Sequence, residues 1–162
     1  MKPEQFAEVL RKVPKAVAVV TVGRGGAENG LTVSWASPVS FDPPQFMFAV
    51  DQLHYSVDFL KSTRNFAVSY LREGQERISG HFARQSFSGE QKLEKIPTRE
   101  SQTGAAILTE ALAYFDCELV ATHPAGDHLI VVGKVVDCGV LNDGSALMTH
   151  AGLAYQKGGP RR

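Results

Sequence analysis

Between Gly30 and Pro44 the chain sets Thr32, Ser34, Trp35, Ser37 and Ser40 into one extended run that stops at Asp42-Pro43-Pro44. Proline cannot donate to a strand ladder, so the run cannot continue as a paired central strand. Such a row of small hydroxyls reads either as an exposed strand face or as one side of a polar ligand site. The neighbouring residues favour a ligand. Gly30 permits close backbone approach, and N–H groups at a strand end can hold phosphate oxygens together with serine hydroxyls. Ser56 adds a further donor as the N-cap expected for a short helix over 54–61, near the positive end of its dipole. Trp35 reads equally as a core residue or as the flank of an aromatic ligand.

A second candidate is Gly126-Asp127-His128, at the mouth of the most strand-like segment of the chain. It reads as a turn capped by Asp127, or as a histidine donor aimed into a pocket. Other chemistries lack their signatures. There is no GxxxxGK[ST] or GxGxxG loop in a strand-to-helix context, and no CxxC, HExxH or GxSxG. His54, His81, His123, His128 and His150 are too dispersed for a metal site.

These residues need a scaffold, and 162 residues suffice for one domain with its own core, residues 1–162. Seventeen basic and seventeen acidic residues give a formal net charge of zero, so no whole-chain field points to nucleic acid or an acidic membrane. The N-terminus lacks a signal-peptide core, and no apolar run reaches the ~18 residues of a membrane span. The expectation is a cytoplasmic globular protein. Cys117 and Cys138 sit in apolar alternating runs and read as buried free thiols.

Periodicity supplies the elements. Residues 3–13 predict an amphipathic helix, with Phe6, Val9, Leu10 and Val13 on one side, ending before Pro14. Residues 16–22 predict a strand buried on both faces. The stretch 23–30 predicts a hairpin turn closing at Asn29-Gly30, which returns the chain antiparallel. Strands are expected at 45–50, 65–71, 113–122 and 128–138, and a helix over 73–83. Residues 84–104 read as a long, functional loop. A turn at Asn142-Asp143-Gly144 precedes a possible strand pair over 146–150 and 153–156. Short turns between strands, with no βαβ alternation, predict a mainly β fold: a small antiparallel barrel with peripheral helices.

Taken together, the blocks resemble the flavin reductase-like, FMN-binding split-barrel family across residues 13–155. Gly30-Leu31-Thr32-Val33-Ser34 after a valine-rich strand is similar to that family's "VTT…G.T.SS" opening. Ser37-Pro38-Val39-Ser40-Phe41-Asp42-Pro43-Pro44 resembles its "(S/T)-S-V-S-(L)-D-P-P" block. Tyr55 to Leu60, Asn65 to Val68, His81-Phe82-Ala83, Lys92-Leu93, Gly126-Asp127-His128 and Val132 to Val135 follow in the family's order. Pro38 departs from a common serine, and Trp35 stands where a smaller residue is frequent.

The resemblance implies an antiparallel Greek-key split β-barrel of the FMN-binding type. It implies FMN, or FAD, with Thr32, Val33, Ser34 and Trp35 beside the isoalloxazine ring. Ser37 and Ser56 would hold the phosphate, with His54 and Lys92 as charge partners. Phe82 and His128 would lie where a nicotinamide docks, and His128 is the catalytic candidate. The implied activity is NAD(P)H-dependent flavin reduction in a homodimer, feeding a monooxygenase or an electron-transfer protein. The rival reading is an electron-transfer flavoprotein that keeps its FMN and is reduced by a protein. A split barrel holding another cofactor, such as haem, is the third.

Overall fold

The computed structural model describes residues 1–84 and 90–149. Helix α1 (Pro3–Lys12) leads into β1 (Ala18–Arg24) and β2 (Ala27–Val33), followed by β3 (Ala36–Phe41) and β4 (Pro44–Asp51). Helix α2 (Ser56–Thr63), β5 (Asn65–Tyr70) and α3 (Glu76–Ala83) come next. Two short strands, β6 (Thr98–Glu100) and β7 (Ala106–Leu108), precede a long hairpin of β8 (Ala113–Ala125) and β9 (His128–Val140).

Seven strands form one antiparallel sheet in the order β2-β1-β5-β8-β9-β4-β3, and β6 pairs with β7 separately. The two edge strands, β2 and β3, are consecutive in the chain and joined by Ser34-Trp35 alone. A link of that length spans at most about 11 Å from Val33 to Ala36. The sheet must therefore curl until its edges meet. No ladder closes the seam between β2 and β3, and the result is a barrel that is mainly β, antiparallel and split. The Trp35 carbonyl accepts the Ala49 amide at 2.9 Å, tying the link to β4.

The barrel interior is filled by Val20 and Val22 of β1, Leu31 and Val33 of β2, Phe46 and Phe48 of β4, and Phe66 and Val68 of β5, with Val57 and Leu60 of α2 as a plug. Val17 and Val19 face the opposite way and pack with Leu71, Phe82 and Leu108. The first strand is thus buried on both faces, as its unbroken β-branched run predicts.

Several local expectations change. The β1–β2 turn is Gly25-Gly26, with φ +63° and +86°, and Asn29-Gly30 lies inside β2 opposite Val22 and Thr21. Two glycines meet the positive-φ demand of a two-residue hairpin without a Cβ penalty, so the Asn-Gly signal is overridden. Ser56 is the first helical residue of α2, and Tyr55 is the N-cap. Residues 98–108 hold β6 and β7 in place of open loop, because Thr103 is pinned by the buried Asp116: its amide donates to Oδ2 at 2.9 Å and its hydroxyl to Oδ1 at 2.6 Å. Cys117 is buried, with burial pushing its thiol pKa up, but Cys138 is exposed. Ala146 and Met148 make isolated bridges to Arg72 and Ala16, and the second half of the last strand pair, with His150, lies outside the described residues.

Gly133 of β9 shows how tightly the interior is filled. A Cβ there would stand 2.5 Å from Phe66 Cε1 and 2.9 Å from Cys117 Cβ. Gly133→Ala is expected to lower stability by about 1–3 kcal/mol, since overpacking displaces a fully buried ring. The effect is read as a reduced urea midpoint at unchanged slope; an unshifted midpoint would contradict the packing described.

Candidate functional site

Two groups of candidate residues meet around the seam. The first is built on α2. Ser56 is 2% exposed, and its hydroxyl accepts a hydrogen bond from Asn29 Nδ2 of β2 at 3.0 Å. Its amide donates to His54 Nδ1 at 3.1 Å. The turn from β4 into α2 is fixed by the His54 amide bonded to the Asp51 carbonyl at 2.9 Å and by Asp51 Oδ1 accepting the Leu53 amide at 2.8 Å.

Lys92 belongs to this neighbourhood. It is 2% exposed, and its Nζ donates to the carbonyls of Arg84 at 2.6 Å and Phe82 at 3.5 Å. Those carbonyls end α3, where a cation is favoured. His81 Nε2 donates to the Lys92 carbonyl at 2.8 Å and holds the segment against the helix. Burial lowers the Lys92 pKa first, with Glu90 opposing and Arg84 adding to the shift. Burial also lowers His54, with the Lys92 charge as the second cause and Asp51 opposing. A buried hydroxyl, an imidazole, an ammonium and the first turn of a helix form a donor set suited to an anion.

The second group lies where the β8–β9 hairpin meets the link. The Trp35 indole packs on the His128 imidazole, with ring centroids 5.0 Å apart and planes tilted by 40°. His128 Nδ1 lies 2.6 Å from Asp127 Oδ1. Gln52 reaches across from the β4–α2 turn, its Nε2 donating to the Gly126 carbonyl at 2.6 Å and its amide to the Asp127 carbonyl at 3.1 Å. Gln52, Leu53, Gly126 and Asp127 line an open cavity of about 350 Å³ beside these rings.

The remaining candidates are placed differently. Thr32 donates its hydroxyl to the Ser79 carbonyl at 2.7 Å, joining β2 to α3. Val33 is in the barrel core and Ser34 is half-buried at the bend. Ser37 stands on edge strand β3 with its hydroxyl donated to the Pro38 carbonyl at 2.9 Å. Phe82 is 1% exposed and covers Gly30, where a Cβ would come within 2.6 Å of its ring. Asn29, Asp127 and Gln52 were not singled out by sequence reasoning as site residues. Asn29 was hidden by the turn signal of the Asn-Gly pair; Asp127 was visible as a turn residue only.

Comparison with known proteins decides the family. The profile of the flavin reductase like domain matches residues 10–161. The chain belongs to the flavin reductase-like family. The reductase component of 4-hydroxyphenylacetate 3-monooxygenase from Thermus thermophilus is 36% identical over 145 residues, covering 90% of each chain. The flavin reductase HpaC, solved with NADP+, superposes with a TM-score of 0.81 at 28% identity over 93% of this chain and 94% of that one. Diflavin flavoprotein A 1 of Synechocystis sp. is 28% identical over 131 residues, 80% of this chain but 23% of its own length. The chain thus spans nearly all of some relatives and about a quarter of others.

The depressed His54 gives a stability test. Its pKa in the folded chain lies below the ordinary 6.5, so the unfolded chain takes up the proton first as pH falls. The folded state therefore loses stability as pH drops from about 6.5 toward the lower folded value. His54→Gln is expected to lose less stability than the parent between pH ~7.5 and ~5.5, measured by urea midpoints. An equal loss in both proteins would contradict a lowered His54 pKa in the folded chain.

Proposed function

We propose that this protein uses NAD(P)H to reduce FMN, held with its phosphate at the start of α2 and its ring system along the Ser34-Trp35 seam. The supporting observation is the cluster of Ser56, His54 and Lys92: a buried hydroxyl on the first turn of a helix beside two groups whose charged forms are disfavoured. A phosphate monoester supplies the negative charge that such a set favours. These residues fit a flavin mononucleotide by donor chemistry. FAD carries an internal pyrophosphate in place of the terminal monoester.

Within this reading Ser56 donates to the phosphate, with Asn29 fixing the serine rotamer. His54, whose Nδ1 accepts the Ser56 amide, carries its proton on Nε2 and offers that N–H to the anion. Lys92, turned to the α3 carbonyls, acts through its charge at a distance. Ser37 adds a hydroxyl from the edge strand, where Pro38 contributes neither hydroxyl nor N–H. Thr32, Val33 and Phe82 set the wall of the ring site from behind. Trp35 and His128 border the open side. Bound flavin would supply the difficult chemistry, acceptance at N5 of hydride from nicotinamide C4. The chain's own contribution is alignment and electrostatic support, which requires no nucleophilic side chain. His128 orients the nicotinamide or supports negative charge developing nearby.

Reduced flavin then serves a partner of the monooxygenase type, as the Thermus relative does as a monooxygenase's reductase component. A homodimer is part of the proposal. Phe6, Val9 and Val13 on the apolar side of α1 are all about half exposed or more, and a second copy would cover them. No helix among the described residues is long and apolar enough to cross a membrane.

The deciding experiment is absorbance spectroscopy of the purified protein with NADH, NADPH and added FMN. NAD(P)H consumption that depends on FMN, with the flavin absorbance bleached anaerobically, is the expected result. A firmly held yellow flavin that neither nicotinamide bleaches within minutes would overturn the reductase reading in favour of an electron carrier.

A further inference from the structure

Asn29 stands on β2 opposite Val22 and is 1% exposed. Leu31, two positions on along the same face of the strand, and Val57 and Leu60 of α2 all belong to the apolar core. An amide buried in such surroundings is unfavourable unless it is hydrogen-bonded. Here Nδ2 donates to the Ser56 hydroxyl oxygen at 3.0 Å. The direction of that bond fixes what Ser56 has left to give. A serine hydroxyl has one proton and two lone pairs, and an amide NH2 can only donate. Asn29 therefore occupies a lone pair and leaves the proton untouched. Among the described residues nothing accepts that proton. The backbone at the start of α2 is already spent on His54, whose Nδ1 accepts the Ser56 amide at 3.1 Å and whose carbonyl accepts the Val57 amide at 3.0 Å. The serine O–H is thus a buried donor, oriented by Asn29 and without an acceptor of its own.

We propose that Asn29 is a specificity-determining residue: it makes Ser56 a donor, and so selects a flavin carrying a phosphate over one ending in a neutral hydroxyl. The proposal rests on the placing of the flavin phosphate at the start of α2. A phosphate dianion only accepts, and its charge roughly doubles the strength of the bond. The terminal hydroxyl of riboflavin is a neutral acceptor and gains less from the same donor. In Asn29→Asp the carboxylate would take the Ser56 proton for itself, turning an oxygen lone pair and a second negative charge toward the phosphate. Asn29 touches no flavin atom in this scheme and acts through Ser56 alone.

The test measures FMN and riboflavin affinities of the whole chain by fluorescence quenching at pH ~8, about two units above the second phosphate pKa. The proteins are wild type, Asn29→Ala, Asn29→Asp, Ser56→Ala and the double variant Asn29→Ala with Ser56→Ala. Urea midpoints establish that each is folded. Wild type is expected to prefer FMN by at least about tenfold. Asn29→Ala is expected to cut that preference about fivefold and Asn29→Asp to abolish it, with riboflavin affinity within about twofold of wild type in both. In the Ser56→Ala background, Asn29→Ala is expected to leave the preference unchanged, because the asparagine acts only through the serine. If Asn29→Asp does not fold, Asn29→Ala and the double variant decide. An equal loss of both flavins in Asn29→Ala overturns the proposal and leaves the asparagine as a tie between β2 and α2. A wild-type preference that survives Asn29→Ala, or a loss that is the same with and without Ser56, also overturns it while the phosphate reading stands. Equal wild-type affinities for FMN and riboflavin overturn the phosphate reading itself, and this inference with it.

Discussion

The covalent link Ser34-Trp35 is the constraint on which the structure depends. It joins the two outermost strands of a seven-stranded sheet, and its short reach forces those edges together. The seam is therefore where backbone pairing stops and side chains take over. On one side of it, β2 brings Asn29 to Ser56; on the other, β4 leads through Asp51 to His54. At the link itself, Trp35 meets the tip of the β8–β9 hairpin. Trp35 and His128 stand at the seam and at the start of β9, while Ser56 and Lys92 are buried, held by the packed barrel.

Charge placement follows from the same geometry. The formal net charge is zero, so an anionic ligand must be drawn by local groups. Burial disfavours the charged forms of both His54 and Lys92, and the Lys92 charge adds to the fall in the His54 pKa. The carbonyls at the end of α3 compensate the ammonium in part. An arriving phosphate would compensate the rest. On the proposed reading, an anion bound beside these groups would offset the stability their burial costs.

Much of this was legible in the sequence, for reasons that can be named. The both-face burial of β1 showed as an unbroken β-branched run, and the end of β3 showed as a double proline. Ser56 showed as a donor at a helix start, whereas His54 and Lys92 carried no signal of their own beyond the family resemblance, because the charge of Lys92 reaches His54 only once the chain has folded. Asn29 was misread since Asn-Gly carries a strong local turn preference, while Gly25-Gly26 satisfies the turn first. The short strands β6 and β7 give no periodic signal at three residues each, and they are set by a long-range contact, Thr103 with Asp116. The clamp around His128 unites three chain segments, of which sequence shows only the Asp-His pair.

If the Ser56 neighbourhood reads a phosphate, comparison of FMN with riboflavin isolates that one group. Affinities of both flavins, measured by fluorescence quenching in wild type and in Ser56→Ala, give the phosphate's contribution directly. FMN is expected to bind wild type at least about tenfold more tightly than riboflavin, and Ser56→Ala to remove much of that difference, about 1–3 kcal/mol, while leaving riboflavin affinity unchanged. Equal affinities of wild type for FMN and riboflavin would contradict it.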